Sequence, residues 1–137
     1  MALITEATPV GSDLAAISRQ FSAGMFSAGG AKTIHNDDEA ARREGLPGAV
    51  AVGPQVAALI FRMMREAFAE GWIVGGKAAL TFRRPVSSND LATARGVVVA
   101  KEPEGARLRV TCEVWVETEA GVKAIVGSCS GLVERAQ

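Results

Sequence analysis

The chain has 137 residues, a length that suits one domain with a sizeable hydrophobic core, and we expect a single domain over residues 1–137. Its fifteen basic residues balance its fifteen acidic residues. The chain therefore has no net positive charge that would attract nucleic acid or an anionic membrane. Apolar residues make up 48% of the chain and aromatic residues only 5%, which predicts a core of Ala, Val, Leu and Ile. The expected partner is therefore a small molecule or another protein.

The N-terminal residues predict where the protein is located in the cell, and the cysteines predict whether it contains disulfides or a metal site. Residues 1–9 lack the basic start and continuous apolar run of a secretory signal, and no later stretch is long enough to cross a bilayer, so we expect a cytoplasmic protein. Cys112 and Cys129 lie in strand-like segments without metal-ligand spacing, which predicts two buried thiols and no metal site. The slightly positive mean hydropathy of +0.18 suggests an oligomer interface.

The first half of the chain is predicted to contain few regular elements before a long helix. A short strand is expected over 15–22, and the glycine-rich segment 23–32 is expected to be a loop. Residues 37–44 predict a short helix, because acidic residues open the segment, basic residues close it and Gly45 follows.

A long helix is predicted to begin at Pro54, since proline is favoured at the first helical position, and to end at Gly71. The stretch 54–61 carries no charge. We therefore expect the N-terminal half of this helix to be buried on nearly all sides.

The second half of the chain changes to the period of two that is typical of strands. The predicted strands cover residues 77–84, 91–101, 107–117 and 122–134. The clearest is the third, in which apolar residues alternate with polar ones as in an antiparallel strand with one buried face. Turn-forming residues at 87–90, 104–105 and 119–121 predict that the four strands form a meander.

One buried helix followed by antiparallel strands predicts an α+β fold in which the sheet wraps around the helix. A single sheet of this kind leaves the backbone groups of one edge strand unpaired, so two copies are expected to pair edge to edge. We expect a homodimer or a multiple of dimers.

Three segments in order carry a family resemblance. The first runs from His35 through Asp37 to Gly45, the second is Leu46-Pro-Gly with the apolar run that follows, and the third is Phe82-Arg-Arg-Pro-Val with Asn89-Asp-Leu. In these segments the chain resembles the MaoC-like acyl-thioester dehydratases and hydratases, and the resemblance covers about residues 19–132. The family has the hot-dog fold, in which an antiparallel sheet wraps around one long central helix.

The resemblance implies a lyase that adds or removes water at the 2,3 double bond of an acyl thioester of coenzyme A or a carrier protein, with no further cofactor. His35, the sole histidine, would be the general base, because imidazole titrates near neutral pH. Gly53 would let the thioester oxygen approach backbone N–H groups at the helix N-terminus. Asp37 is a further catalytic candidate, although Asp37 and Asp38 would both also serve as helix caps.

One departure from the family pattern bears on the chemistry. The active hydratases have an aspartate five residues before the histidine, followed by Asn and Pro, whereas here those places hold Gly30, Lys32 and Thr33. The candidate substrate-binding residues are Gly30, Lys32, Val52 and Arg84. Arg83 and Arg84 either contact coenzyme A phosphates or are solvated or ion-paired.

Three functions therefore stay open. The first is a hydratase or dehydratase in which another group replaces the aspartate. The second is a hot-dog thioesterase or an enzyme that tailors a small metabolite. The third is a non-catalytic ligand-binding or partner subunit, in which His35 is only a hydrogen-bonded structural residue and Gly53 only lets the chain turn into the helix.

Overall fold

The computed structural model describes residues 3–27 and 29–136. Its elements in chain order are β1 (Ile17–Gln20), a 3-10 turn (Ala23–Phe26), α1 (Asp38–Arg43), α2 (Gly53–Phe68), α3 (Glu70–Gly75), β2 (Lys77–Phe82), β3 (Leu91–Glu104), β4 (Arg107–Glu117) and β5 (Lys123–Glu134). Each predicted helix and strand is present, with β1 and β2 shorter than expected, β3 longer, and α2 starting one residue before Pro54. The predicted loop over 23–32 is corrected, because its first residues form the 3-10 turn.

The strands form one antiparallel sheet in the order β1-β3-β4-β5-β2. The predicted meander is confirmed for β3, β4 and β5. It is wrong for β2, which pairs with β5 so that Lys77 lies opposite Ser130 and Phe82 opposite Ile125. The free edge of β3 is taken by β1 instead. Residues 83–90 therefore form a crossover between separated strands, and not a hairpin turn.

Helix α2 lies across one face of the sheet and contacts β1, β3, β4 and β5. Its buried residues recur at helical spacing and meet apolar side chains of the strands. They include Val56, Ile60, Met63 and Met64 on the helix and Val98, Val110, Val114 and Val116 on the sheet. The expectation that the first half of α2 is buried on nearly all sides is wrong, because the sheet covers one face and leaves Gln55, Ala58 and Phe61 exposed.

The long helix ends at Phe68 and not at Gly71, because Ala69 adopts a left-handed φ of 51°. Ala69 is also the N-cap of the next helix, α3. Gly71 has a different role. A Cβ atom there would lie 1.8 Å from the carbonyl oxygen of Leu132, so glycine is required for the close approach of α3 to β5.

Helix α2 on an antiparallel sheet confirms the α+β hot-dog fold. Cys112 and Cys129 lie opposite each other on β4 and β5 and are buried. Burial raises the pKa of Cys112 to about 12, with a further contribution from Cys129, and raises that of Cys129 to about 11. Among the described residues, no helix is long and apolar enough to cross a membrane.

Candidate active site

The imidazole of His35 is held in one orientation by the backbone. Its Nδ1 atom lies 2.8 Å from the carbonyl oxygen of Val50. Because a carbonyl oxygen can only accept a hydrogen bond, Nδ1 carries the proton in the neutral ring and Nε2 keeps its lone pair. This is the tautomer that a general base requires at Nε2.

The main chain of His35 is fixed on both sides. Its N–H donates to Oγ1 of Thr33 over 3.2 Å, and its carbonyl oxygen accepts from Oγ of Ser88 over 2.7 Å. Ser88 is fully buried. The ring of Phe26 lies 6.5 Å from the imidazole, in a tilted arrangement.

The two carboxylates after His35 have structural partners. Oδ2 of Asp37 accepts from the N–H of Ala40 over 2.9 Å, so Asp37 is the N-cap of α1. The expected capping role of Asp38 is wrong. Its Oδ1 accepts instead from the N–H of Ala49 over 2.8 Å and so fixes the turn that leads towards α2.

Three distant segments meet beside His35. The N–H of Val50 donates to the carbonyl of Ile34 over 2.9 Å, and that of Ala51 donates to the carbonyl of Val86 over 2.7 Å. The N–H of Ser88 donates to the carbonyl of Ala49 over 3.0 Å. Residues 34–35, 49–51 and 86–88 are therefore joined by hydrogen bonds immediately before the start of α2.

The N-terminus of α2 has unused donors. Val52 is its N-cap, and its carbonyl accepts from the N–H groups of Gln55 and Val56. Within residues 3–27 and 29–136, no protein acceptor receives the N–H of Val52 or of Gly53. These two N–H groups and the positive end of the helix dipole can therefore stabilise an oxyanion.

Gly53 is not needed for its backbone angles, since its φ is not left-handed. A Cβ atom at this position would lie 3.3 Å from Cε1 of Phe82. The glycine therefore leaves space at the helix start, between its amide and the Phe82 ring.

An open cavity of about 250 Å³ lies at this end of α2. Its lining is mostly apolar and consists of Ala51, Gly53, Val56, Phe82, Arg83, Arg84, Pro85, Val86 and Ile125. The structure thus brings Gly53 and Arg84 together. His35 does not line the cavity, but its hydrogen-bond partner Val50 precedes Ala51 in the wall.

Gly30 and Lys32 lie outside this cavity, in the exposed loop before His35. Gly30 has a φ of +87°, and a Cβ atom there would have no neighbour within 4 Å. Nδ2 of Asn36 donates to the carbonyls of Phe26 and Ala31 and so holds this loop. In the described part of the chain, no carboxylate is hydrogen-bonded to the His35 ring.

Sequence reasoning missed the two partners of His35 that join it to other segments. Ser88 occurs in a Ser-Ser-Asn-Asp turn, where its composition indicates only a turn, and the Val50 carbonyl leaves no signal in any side chain. Only the path of the crossover between β2 and β3 brings Ser88 to His35.

Comparisons with known proteins identify a family and a shared fold. The family model "MaoC like domain" matches residues 14–120. A MaoC-like dehydratase from Rhodospirillum rubrum is 22% identical with a TM-score of 0.76, over 98% of this chain and 99% of that one. The (R)-hydratase from A. caviae involved in PHA biosynthesis is 20% identical with a TM-score of 0.73, over 96% and 100%.

A third similar structure is the ChsH1-ChsH2 complex from Mycobacterium tuberculosis, which is 17% identical with a TM-score of 0.68, over 93% of this chain and 99% of that one. No curated protein matches the chain. At these identities the solved structures establish a shared fold.

Proposed function

Because this chain belongs to the MaoC-like domain family, we propose that it is a lyase that hydrates the 2,3 double bond of an acyl thioester or removes water to form it. One observation carries the proposal. The Val50 carbonyl holds His35 with Nε2 unprotonated in the neutral ring, and Val50 lies two residues before Val52, the N-cap of α2, whose N–H group has no described acceptor. A base and an oxyanion site are two of the groups that this reaction uses.

In the hydration direction, Nε2 of His35 takes a proton from water while the water oxygen bonds to the β carbon. The electron pair of the double bond moves towards the α carbon and the thioester oxygen, which becomes negatively charged. The N–H groups of Val52 and Gly53 stabilise that charge together with the α2 dipole. The imidazolium then returns a proton to the α carbon, and dehydration runs through the same steps in reverse.

The cavity beside Gly53 supports an acyl thioester as the substrate. Its apolar wall suits an acyl chain, and Arg83 and Arg84 suit the phosphates of coenzyme A or a carrier protein. Neither arginine forms an ion pair with another described residue. Gly30 and Lys32 are proposed to contact the substrate from the loop before His35.

The proposal is tested by following the absorbance of conjugated enoyl-coenzyme A esters of short and medium chain length. We expect His35→Ala to lower kcat by at least about 100-fold, the usual size of a general-base contribution. Asp37→Asn is the matched control, because asparagine caps a helix as well as aspartate but has no carboxylate. Activity of Asp37→Asn within about twofold of wild type would exclude an acid role for Asp37.

The proposal fails if no chain length is hydrated, or if His35→Ala keeps full activity. Release of free thiol without prior hydration would identify a thioesterase instead. A non-catalytic subunit is the second candidate, because no described carboxylate is hydrogen-bonded to His35 and position 30 is glycine. A stable complex with a second hot-dog chain and no turnover by this chain alone would support it.

The proposed active form is a homodimer in the cytoplasm. Strand β2 pairs only with β5, so its other edge is unpaired among the described residues. Phe82 on this strand is 55% exposed and Phe61 on α2 is 38% exposed, which is apolar surface that a second copy would cover. Light scattering after gel filtration should give twice the chain mass of 14.2 kDa, and the single-chain mass would contradict the dimer.

A further inference from the structure

Ser88 contacts two of the three segments that meet beside the proposed base. Its Oγ donates to the carbonyl of His35 over 2.7 Å, and its N–H donates to the carbonyl of Ala49 over 3.0 Å. The exposed fraction of Ser88 is 0%. A buried hydroxyl in this setting is costly to leave without its partner, so both hydrogen bonds restrain the chain.

From this geometry we infer that Ser88 is a positioning residue that keeps His35 in its Nδ1–H tautomer. The bond from Nδ1 to the Val50 carbonyl requires that the backbone of His35 and residues 49–50 stay in fixed relative positions. Ser88 bonds to His35 on one side and to Ala49, the neighbour of Val50, on the other. It therefore fixes the two backbone positions that the ring bond joins.

The inference deepens the proposed function, on which its kinetic consequence rests. If the ring loses the Val50 carbonyl, a proton can reside on Nε2, and a neutral ring protonated there cannot accept a proton from water at that atom. Loss of the Ser88 hydroxyl should thus reduce the fraction of enzyme that is ready to react. The substrate cavity does not include Ser88, so binding should change less than turnover.

The neighbouring serine provides a matched control. Ser87 is exposed, and its Oγ accepts only a 3.3 Å bond from the N–H of Asn89 within the same loop. Ser87→Ala and Ser88→Ala remove the same atom from adjacent positions. Only the second change removes a bond to His35.

The experiment records the 15N resonances of the imidazole, which belong to one residue because His35 is the sole histidine. In the wild type with a neutral ring, we expect a protonated Nδ1 and an unprotonated Nε2. Ser88→Ala should shift the resonances towards the Nε2–H form and lower kcat about fivefold with KM changed by less than about twofold. Ser88→Thr keeps the hydroxyl and should restore both values, and Ser87→Ala should match the wild type.

A wild-type ring protonated at Nε2, or a folded Ser88→Ala variant with unchanged resonances and kcat, would overturn the inference. If Ser88→Ala does not fold, Ser88→Cys keeps the side-chain volume with a weaker donor, and an intermediate tautomer shift is expected. An unshifted Ser88→Cys ring would then count against the inference. Because the resonances do not depend on turnover, a tautomer shift in a protein that hydrates no thioester would contradict the proposed function while supporting the role of Ser88.

Discussion

The substitution Gly53→Ala separates the two roles that a glycine can have at the start of α2. The φ of Gly53 is not left-handed, so alanine can adopt the same backbone conformation. Alanine is favoured over glycine in helices by about 0.5–1 kcal/mol. If Gly53 only lets the chain enter the helix, the variant should be folded and active.

The new methyl group has one close contact, at 3.3 Å from Cε1 of Phe82. That ring is 55% exposed in the single chain, and a shift of a few tenths of an ångström relieves the contact. The gain in helix propensity and the cost of this contact nearly cancel, and we expect a change in unfolding free energy within about 1 kcal/mol. For a domain of this size that corresponds to a Tm shift of about 4 °C or less.

The effect on activity should be larger than the effect on stability. The methyl group would narrow the space through which a thioester oxygen reaches the Gly53 amide, and losing one oxyanion donor costs about 100-fold to 1,000-fold in kcat. We expect a fall of at least about tenfold in kcat/KM, since the amide is obstructed and not removed. Thermal unfolding by circular dichroism and the enoyl-thioester assay measure the two effects.

Gly24→Ala is the control, because a Cβ atom at Gly24 would have no neighbour within 4 Å and the residue lies in the 3-10 turn. Unchanged kcat/KM in Gly53→Ala would refute the use of this amide as an oxyanion donor. A Tm loss well beyond about 8 °C would instead refute the packing argument.

Three other predictions concern stability and substrate charge. Burial raises the pKa of Cys112 to about 12 and that of Cys129 to about 11. The neutral thiols therefore stabilise the fold below about pH 9. As pH rises above about 9, this contribution to the free energy of unfolding falls by about 1.4 kcal/mol per thiol per pH unit. Urea unfolding from pH 8 to pH 11 should show this slope, and a slope unchanged in Cys112→Ala would contradict it. Gly127→Ala should lower the free energy of unfolding in urea by at least about 2 kcal/mol, because a Cβ atom would lie 2.1 Å from the Ala79 carbonyl oxygen. A variant as stable as the wild type would show that β2 can move away without loss of stability. Arg84→Gln should raise KM for enoyl-coenzyme A several-fold at low salt and less at high salt, where screening already weakens the attraction; a salt-independent change would point to a packing effect.

Local patterns in the sequence predicted most of the fold. The alternation in β4 and a helix start at Pro54 are encoded within each segment. The strand was confirmed, and the helix begins one residue earlier, at Gly53. The partner of β2 was not predictable in this way, because an edge strand can join either end of the sheet without changing its own side-chain pattern. The break at Ala69 was also missed, since an alanine gives no local signal for a left-handed φ.

The candidate site was predicted in part. The family resemblance identified His35 and Gly53, and the structure places both around the start of α2 with Arg84 at the cavity beside it. Sequence spacing did not reveal that Asp38 and Ser88 hold residue 49, because a side-chain pattern does not show which backbone N–H or carbonyl a residue will bond. The Ser88 contact also depends on the crossover, whose path is set by the finished sheet.

The crossover has a consequence for the order in which the protein matures. The N–H groups of Arg83 and Arg84 donate to the carbonyl of Ala124, and among the described residues β2 pairs only with β5. A nascent chain that lacks residues 123–134 therefore has no strand partner for β2 and no acceptor for these two N–H groups, whereas residues 86–90 already have partners in the preceding segments. Ligand binding should consequently appear in synthesis and in refolding only after β5 has docked, and a chain truncated before Lys123 should lack the part of the cavity wall that Ile125 forms.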